Sequence, residues 1–221
     1  MVKLKIYLFR HGQTTFNRDG RFTGFLDAKL TPLGVRQAKT LAQKLKNKKF
    51  QIAFHTRHIR TKQTLKHVLK YHPECASILK DNRMIERNYG DLNGTTHSAF
   101  IKKIGQKLYK LEVQGDLIHD LDSAGKKKVK KFLGKEEYNL IHRGYNVPPP
   151  HGESFAMVEI RVKSFIKYLI SLMKKNKVNV AISASGNSIR LFRKILEKAS
   201  EKQAVQWVIP YDKYYEYNIN A

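Results

Sequence analysis

Two segments of this chain each run from a strand through an abrupt turn into a helix, and together they dictate a layered α/β arrangement. In the first, Val2, Leu4, Ile6 and Leu8 alternate with Lys3, Lys5 and Tyr7, the period of a strand, before Arg10-His11-Gly12 breaks the pattern. The expectation is that Gly12 lets the backbone leave the strand sharply. In the second, Val178 to Ala184 forms an apolar run of buried-strand length, Gly186-Asn187 turns it, and Ile189, Phe192, Ile195 and Leu196 follow at helical spacing. Open α/β sheets place their ligand crevices at the carboxyl ends of their strands, so the two turns side by side would form one pocket with a helix amino terminus aimed at it.

The chemistry available at the first turn is specific. Imidazole is a nucleophile near neutral pH, and a guanidinium can hold two phosphate oxygens at once, so Arg10-His11 supplies an attacker and a clamp for phosphorus. Arg60, near the start of a helix expected from about Arg57 to Tyr71, is the second candidate donor.

The rest of the chain reads as alternating strands and helices. Thr31-Pro32 is a helix cap with proline at the first helical position, followed by an apolar face of Ala38, Leu41, Ala42 and Leu45. Gln51 to Phe54 is a short strand. Phe155, Val158, Val162, Phe165, Ile166, Leu169 and Met173 repeat at three and four residues, the stripe of a long core helix with Gly152 and Ser154 near its start. The segment from Gly105 to Leu140 is rich in lysine, with two glycine breaks, and reads as a helical insertion over the pocket, its return stiffened by Pro148-Pro149-Pro150.

Length and composition fit one domain over residues 1–221, since 41% hydrophobic residues in 221 are enough for a substantial core. Cys75 is the single cysteine, which excludes an internal disulfide and suggests a reducing, cytoplasmic compartment. Apolar runs are strand-sized, and Lys3 and Lys5 interrupt the amino terminus before a signal-peptide core, so no membrane association is expected. His55, His58, His67 and His72 read as packing or surface residues, with no carboxylate or cysteine at metal-ligand spacing, so no metal is expected. The 43 Lys and Arg against 18 Asp and Glu leave a formal charge of +25, a field that steers anions. The clusters Lys44 to Lys49 and Lys126-Lys127-Lys128-Val129-Lys130-Lys131 lack regular aromatic interleaving, so no specific nucleic-acid module is expected.

Arg10-His11-Gly12 with Asn17, then Arg21-Phe22-Thr23-Gly24-Phe25, Arg60, Glu86-Arg87-Asn88-Tyr89-Gly90-Asp91-Leu92-Asn93-Gly94, His142-Arg143-Gly144-Tyr145, Gly152-Glu153-Ser154 and Ser185-Gly186-Asn187-Ser188-Ile189-Arg190 resemble, in this order, the histidine phosphatase superfamily. Within it they look most like the 2,3-bisphosphoglycerate-dependent phosphoglycerate mutases, over nearly everything except residues 105 to 140. The resemblance implies a three-layer α/β/α fold with a mostly parallel sheet. It implies a phosphohistidine at His11, Glu86 as acid and then base, and hydrogen bonds from Asn17, Gly186 and Asn187. Thr23, Gly24, Arg87, Tyr89 and Arg143 fall where mutases hold the substrate's carboxylate and outer phosphate.

The activity implied first is interconversion of 3-phosphoglycerate and 2-phosphoglycerate in glycolysis, with 2,3-bisphosphoglycerate as primer, a small phosphorylated metabolite as partner, and a homodimer as an option for assembly. Three positions depart from the pattern. Ser185 stands where the superfamily has a second histidine against the phosphate, His97 where the mutases carry lysine, and His142 where they carry the first of two arginines. Each exchanges a charged or chargeable donor for a weaker one. The alternatives are therefore a phosphomonoesterase on the same site, or a catalytically impaired protein that binds phosphorylated ligands.

Overall fold

A computed structural model describes residues 3–114 and 121–220. Val2, placed in the first strand by its alternation, and residues 115–120 of the expected insertion lie outside them. In chain order the elements are β1 (Lys3–Arg10), α1 (Thr15–Arg18), α2 (Pro32–Leu45), β2 (Ile52–His55), α3 (Ile59–Leu69), β3 (Ser77–Lys80), α4 (His97–Gln114), α5 (Ser123–Arg143), α6 (Phe155–Asn176), β4 (Val180–Ala184), α7 (Gly186–Glu197), α8 (Glu201–Gln206) and β5 (Tyr214–Asn220). The strands form one sheet in the order β3-β2-β4-β1-β5. All pairings are parallel except that of β5 with β1, so the sheet is mostly parallel with one antiparallel edge.

The alternation along β1 sorts the two cores. Leu4, Ile6 and Leu8 pack with Phe54, Val180 and Ile182 against the α6 stripe, and Phe155, Val158, Val162, Phe165 and Leu169 are all fully buried there. Tyr7 and Phe9 pack on the other face with Ala53 and Ala181 against Leu41, Ala42 and Leu45 of α2 and Leu65 and Val68 of α3. Each fully buried large aliphatic or aromatic side chain contributes about 1.5–3 kcal/mol relative to exposure. The three layers therefore follow from period 2 on the strands and period 3.6 on the helices. The cap read from sequence is present, with the Thr31 side chain accepting from Gly34 N–H, and Ser154 caps α6 in the same way by accepting from Met157 N–H.

Glycine serves this fold through close approach. A Cβ on Gly12 would lie 2.2 Å from the Gly34 carbonyl oxygen, and one on Gly34 would lie 2.0 Å from that of Gln13. Only glycine at both positions lets the turn after β1 ride against the start of α2, which is a packing requirement on Gly12 beside the sharp exit expected of it. The insertion uses glycine for close approach too, while Gly115 lies outside the described residues. Gly105 lies inside α4 and Gly134 inside α5, and neither breaks its helix. A Cβ on Gly105 would meet the Lys130 carbonyl at 2.0 Å, and one on Gly134 the Ile101 carbonyl at 2.1 Å, so the pair marks where the two helices cross backbone to backbone. The hairpin also starts at His97, eight residues before its expected boundary at Gly105.

Phe100, Ile101 and Ile104 of α4 and Tyr138 and Ile141 of α5 pack on Phe22 and Tyr89, which attaches the hairpin beside the carboxyl ends of the strands. No helix among the described residues is long and apolar enough to cross a membrane.

Candidate active site

The parallel register of β1 and β4 sets Arg10 opposite Ala184, and His11 N–H continues the ladder with a 3.2 Å bond to the Ala184 carbonyl. The two turns thus leave the sheet side by side. Gly12 N–H donates to Thr64 Oγ1 at 3.0 Å, fixing the first turn on α3. His11 itself is only 2% exposed. Its Nδ1 lies 2.8 Å from the Gly12 carbonyl, which can only accept, so Nδ1 carries the hydrogen and Nε2 keeps its lone pair. Burial first, then the Arg60 and Arg10 guanidiniums, hold His11 well below the usual imidazole range. The ring is therefore neutral at physiological pH, the form a nucleophile requires.

Around it stand cations with donors to spare. Arg10 lies across the Tyr211 ring at 4.1 Å, its Nη1 donates to the Ile209 carbonyl at 2.9 Å, and its Nε is buried without a protein partner. The guanidinium packs against Gly186, where a Cβ would sit 3.4 Å from Arg10 Cζ. Arg60 is fully buried; Nη1 and Nη2 donate to the Leu26 and Gly24 carbonyls at 2.8 and 3.1 Å, so only its Nε is left unpartnered. Burial lowers Arg60 to about 10, partly opposed by Glu86. It still carries its charge at neutral pH.

Glu86 faces α7. Its Oε1 accepts from Arg87 N–H at 2.8 Å and from Asn187 N–H, in the first turn of α7, at 3.3 Å. The carboxyl is thereby fixed through one oxygen, and Oε2 stays outside that pair of bonds. Ser185 is the N-cap residue of α7, fully buried, with an Oγ that makes no cap bond and has no protein partner. Unsatisfied buried donors beside a helix amino terminus are what an anion satisfies.

Arg10 and Glu86, of these groups, border a cleft of about 240 Å³. Of the residues singled out in the sequence, Arg10, Glu86, Gly186 and Asn187 line it from the strand ends, and Asn17, Thr23, Tyr89, His97 and His142 from the surrounding loops and the α4–α5 hairpin. Six others stand back from its lining, the buried His11 and Ser185 among them. Arg60 and Gly24 bond each other beneath it, as above. Arg87 is fully buried, its guanidinium against the Tyr89 and Phe155 rings at 4.5 and 4.4 Å, and it donates to the Ile141 carbonyl. Arg143 donates to the Val205 carbonyl. Arg87 and Arg143 each tie α5 to a neighbour through one bond, and Arg87 Nε and Nη1 keep no protein partner.

The cleft also includes residues outside the expected set. Arg190 sits one helical turn after Asn187 and donates to Asn187 Oδ1 at 2.6 Å and to the Trp207 carbonyl at 2.9 Å, while Asn187 Nδ2 reaches Tyr89 Oη at 3.2 Å. Its spacing from Asn187 was a usable signal, since residues three apart share a helix face. Phe22 and Arg21 were visible in the Arg21-Phe22-Thr23-Gly24-Phe25 motif. Tyr211 carries no local signal; only the fold brings it under Arg10.

A buried neutral histidine under the influence of two guanidiniums at the carboxyl edge of an α/β sheet, beside a cleft lined by a fixed carboxyl, has the chemistry that phosphoryl transfer needs. The chain belongs to the histidine phosphatase superfamily (branch 1), whose sequence profile matches residues 6–116. It is 31% identical over 207 residues, 92% of this chain and 86% of the other, to a 2,3-bisphosphoglycerate-dependent phosphoglycerate mutase of Nitrobacter winogradskyi. Among solved structures, the alpha-ribazole phosphatase from Shigella flexneri superposes with a TM-score of 0.71 at 20% identity, covering 98% of this chain and 91% of that one. A phosphoglycerate mutase from Bacillus anthracis gives 0.66 at 23% identity, over 90% and 82%. The fold is thus shared by proteins named as mutases and as phosphatases.

The protonation state of His11 is open to direct measurement. Nitrogen-15 NMR of the imidazoles should show His11 as the neutral Nδ1–H tautomer at pH 5.5, where an ordinary imidazole is mostly charged. Titration of His11 near 6.5 would contradict the burial and charge effects described above.

Proposed function

We propose that this protein takes the phosphoryl group of a small phosphomonoester onto His11 Nε2 and passes it to water, as a phosphomonoesterase. The observation that carries the reading is His11 itself, buried and neutral, with Nδ1 bonded to the Gly12 carbonyl, Nε2 free, and the Arg60 and Arg10 guanidiniums close enough to lower it. In the first step Nε2 forms a bond to phosphorus while the ester P–O bond breaks, and Glu86 gives its proton to the leaving oxygen. In the second, Glu86 takes a proton from water as that water attacks phosphorus, the P–N bond breaks, and inorganic phosphate leaves. Arg10, with the amide end of α7, meets the negative charge on the equatorial oxygens.

A second reading, return of the phosphoryl group to a glycerate with 2,3-bisphosphoglycerate as primer, is favoured by the names of the relatives. It ranks lower on the chemistry of the cleft. Burial lowers His97, and burial together with Arg143 and Arg87 lowers His142 to about 3, so the two side chains in the positions of mutase cations are uncharged rings. A second phosphate there would rest on Arg21 and Arg190 and on arginines within electrostatic reach of His142, with no lysine or arginine at either of the two positions.

The two readings separate by product. Purified protein mixed with p-nitrophenyl phosphate, and with 3-phosphoglycerate in the presence and absence of 2,3-bisphosphoglycerate, should release inorganic phosphate without primer-dependent formation of 2-phosphoglycerate. Primer-dependent 2-phosphoglycerate without free phosphate would establish the mutase. Absence of every product would leave a phosphate-ligand-binding protein.

Ser185 sets the expected rate. A hydroxyl donates one hydrogen bond and brings no positive charge, whereas a histidine at this position does both as charge develops. Ser185→His should raise turnover about a hundredfold, the loss for one missing preorganised donor taken in reverse, with a smaller change in KM. Ser185→Ala should lower turnover. Equal turnover of the wild type and both variants, with thermal melting confirming three folded proteins, would show that Ser185 is not beside the reacting phosphoryl group.

A further inference from the structure

The side of the cleft supplied by α4 and α5 is built of rings. Phe22 meets His97 edge-on at a centroid distance of 4.5 Å and 65°, and His142 at 6.3 Å and 67°. His142 is near-parallel to Tyr138, 17° at 5.0 Å, and to Tyr89, 18° at 6.4 Å. Tyr138 Oη and His97 Nδ1 share a hydrogen bond of 3.3 Å, which pins one ring to the next across the hairpin. Four of these five rings, Phe22, Tyr89, His97 and His142, line the cleft itself.

The cations of the cleft lie elsewhere. Arg10 and Arg190 belong to the β1 and α7 side, while Arg21, exposed, donates to the Gly94 carbonyl at 2.8 Å. The cleft therefore divides into an end where Arg10 and Arg190 suit one phosphoryl group and an end lined by neutral rings, with Arg21 at its rim and Arg87 and Arg143 within electrostatic reach of His142. Such a surface favours a group whose edges and faces complement aromatic quadrupoles.

We propose that the ring-lined end is a subsite for a flat, uncharged ring, so that the substrate is a phosphomonoester whose alcohol portion carries an aromatic or heteroaromatic group. The proposal rests on His11 as phosphoryl acceptor for its catalytic meaning, but the subsite can be measured without turnover. Phosphonates keep the charge of the phosphoryl end and cannot be hydrolysed. Calorimetric titration of the whole protein with 2-phenylethylphosphonate, 2-cyclohexylethylphosphonate and n-propylphosphonate separates flatness from simple apolar area.

The phenyl compound should bind about 3- to 10-fold tighter than the cyclohexyl one, the range of an aromatic pair beyond its area burial, and the propyl compound should bind weakest. In His142→Leu the margin of phenyl over cyclohexyl should disappear. Equal affinities for phenyl and cyclohexyl, tighter binding of 2,3-bisphosphoglycerate than of the phenyl compound, or no measurable binding of any of the three would overturn the subsite.

A kinetic arm then distinguishes this claim from the one beneath it. Phosphate release from 2-phenylethyl phosphate and n-propyl phosphate, whose leaving groups are both primary alkoxides, should show the same preference in kcat/KM. Preference in binding with no phosphate released would retain the subsite and remove the hydrolytic reading of His11. Equal turnover of the two esters would remove the subsite and retain His11.

Discussion

The pairing of β1 with β4 is the constraint on which the rest of the site depends. Because Arg10 pairs with Ala184 and His11 N–H bonds the Ala184 carbonyl, His11 and the amino terminus of α7 must occupy adjacent strand ends. A slip of one residue would turn His11 toward the opposite face of the sheet. The apolar alternation on β1, with a separate core on each face, fixes the register from both sides at once. The Gly12–Gly34 approach then holds the turn against α2, and Thr64 holds it against α3.

Given that register, burial does much of the chemistry. Enclosure strips His11 of water and keeps it neutral, while Arg10 and Arg60 oppose protonation from nearby; the same cations would favour a phosphoryl group arriving beside it. Removing charge from the nucleophile and supplying it to the electrophile are thus two effects of one arrangement. The folded-state values of His11, His58 and His142 are all lowered chiefly by burial. The linkage sign follows, because the unfolded chain takes up protons near pH 6.5 that the native one refuses: their contribution to stability is present above that pH and is lost as pH falls toward 4.

What the sequence made legible was what periodicity and local chemistry record. The α6 stripe, the Thr31-Pro32 start of α2 and both strand–turn–helix units are read directly from spacing. The edge strand β3 was not read. Ser77–Lys80 is short, half exposed, and ends in lysine, so tertiary pairing with β2 outweighs its weak local signal. Gly105 and Gly134 illustrate a different limit, since a glycine that ends a helix and one that admits a neighbouring backbone are identical in sequence. His97 and His142 could be seen as departures from a charged pattern. Their inclusion in a ring cluster could not, because Phe22, Tyr89 and Tyr138 come from three separate segments. The bonds of Arg87 and Arg143 to the Ile141 and Val205 carbonyls were hidden for a related reason: a motif gives a residue type and position, while the protein partner of its guanidinium depends on helices packed from elsewhere.

The central claim is that His11 becomes covalently phosphorylated. Rapid-quench samples of the whole protein with a reactive phosphomonoester, examined by intact mass at alkaline pH and by phosphorus-31 NMR, test it most directly. The account predicts an acid-labile adduct of one phosphoryl group on Nε2 of His11, absent from His11→Ala. Phosphate release with no adduct at any quench time, or an adduct that persists in His11→Ala, would contradict it.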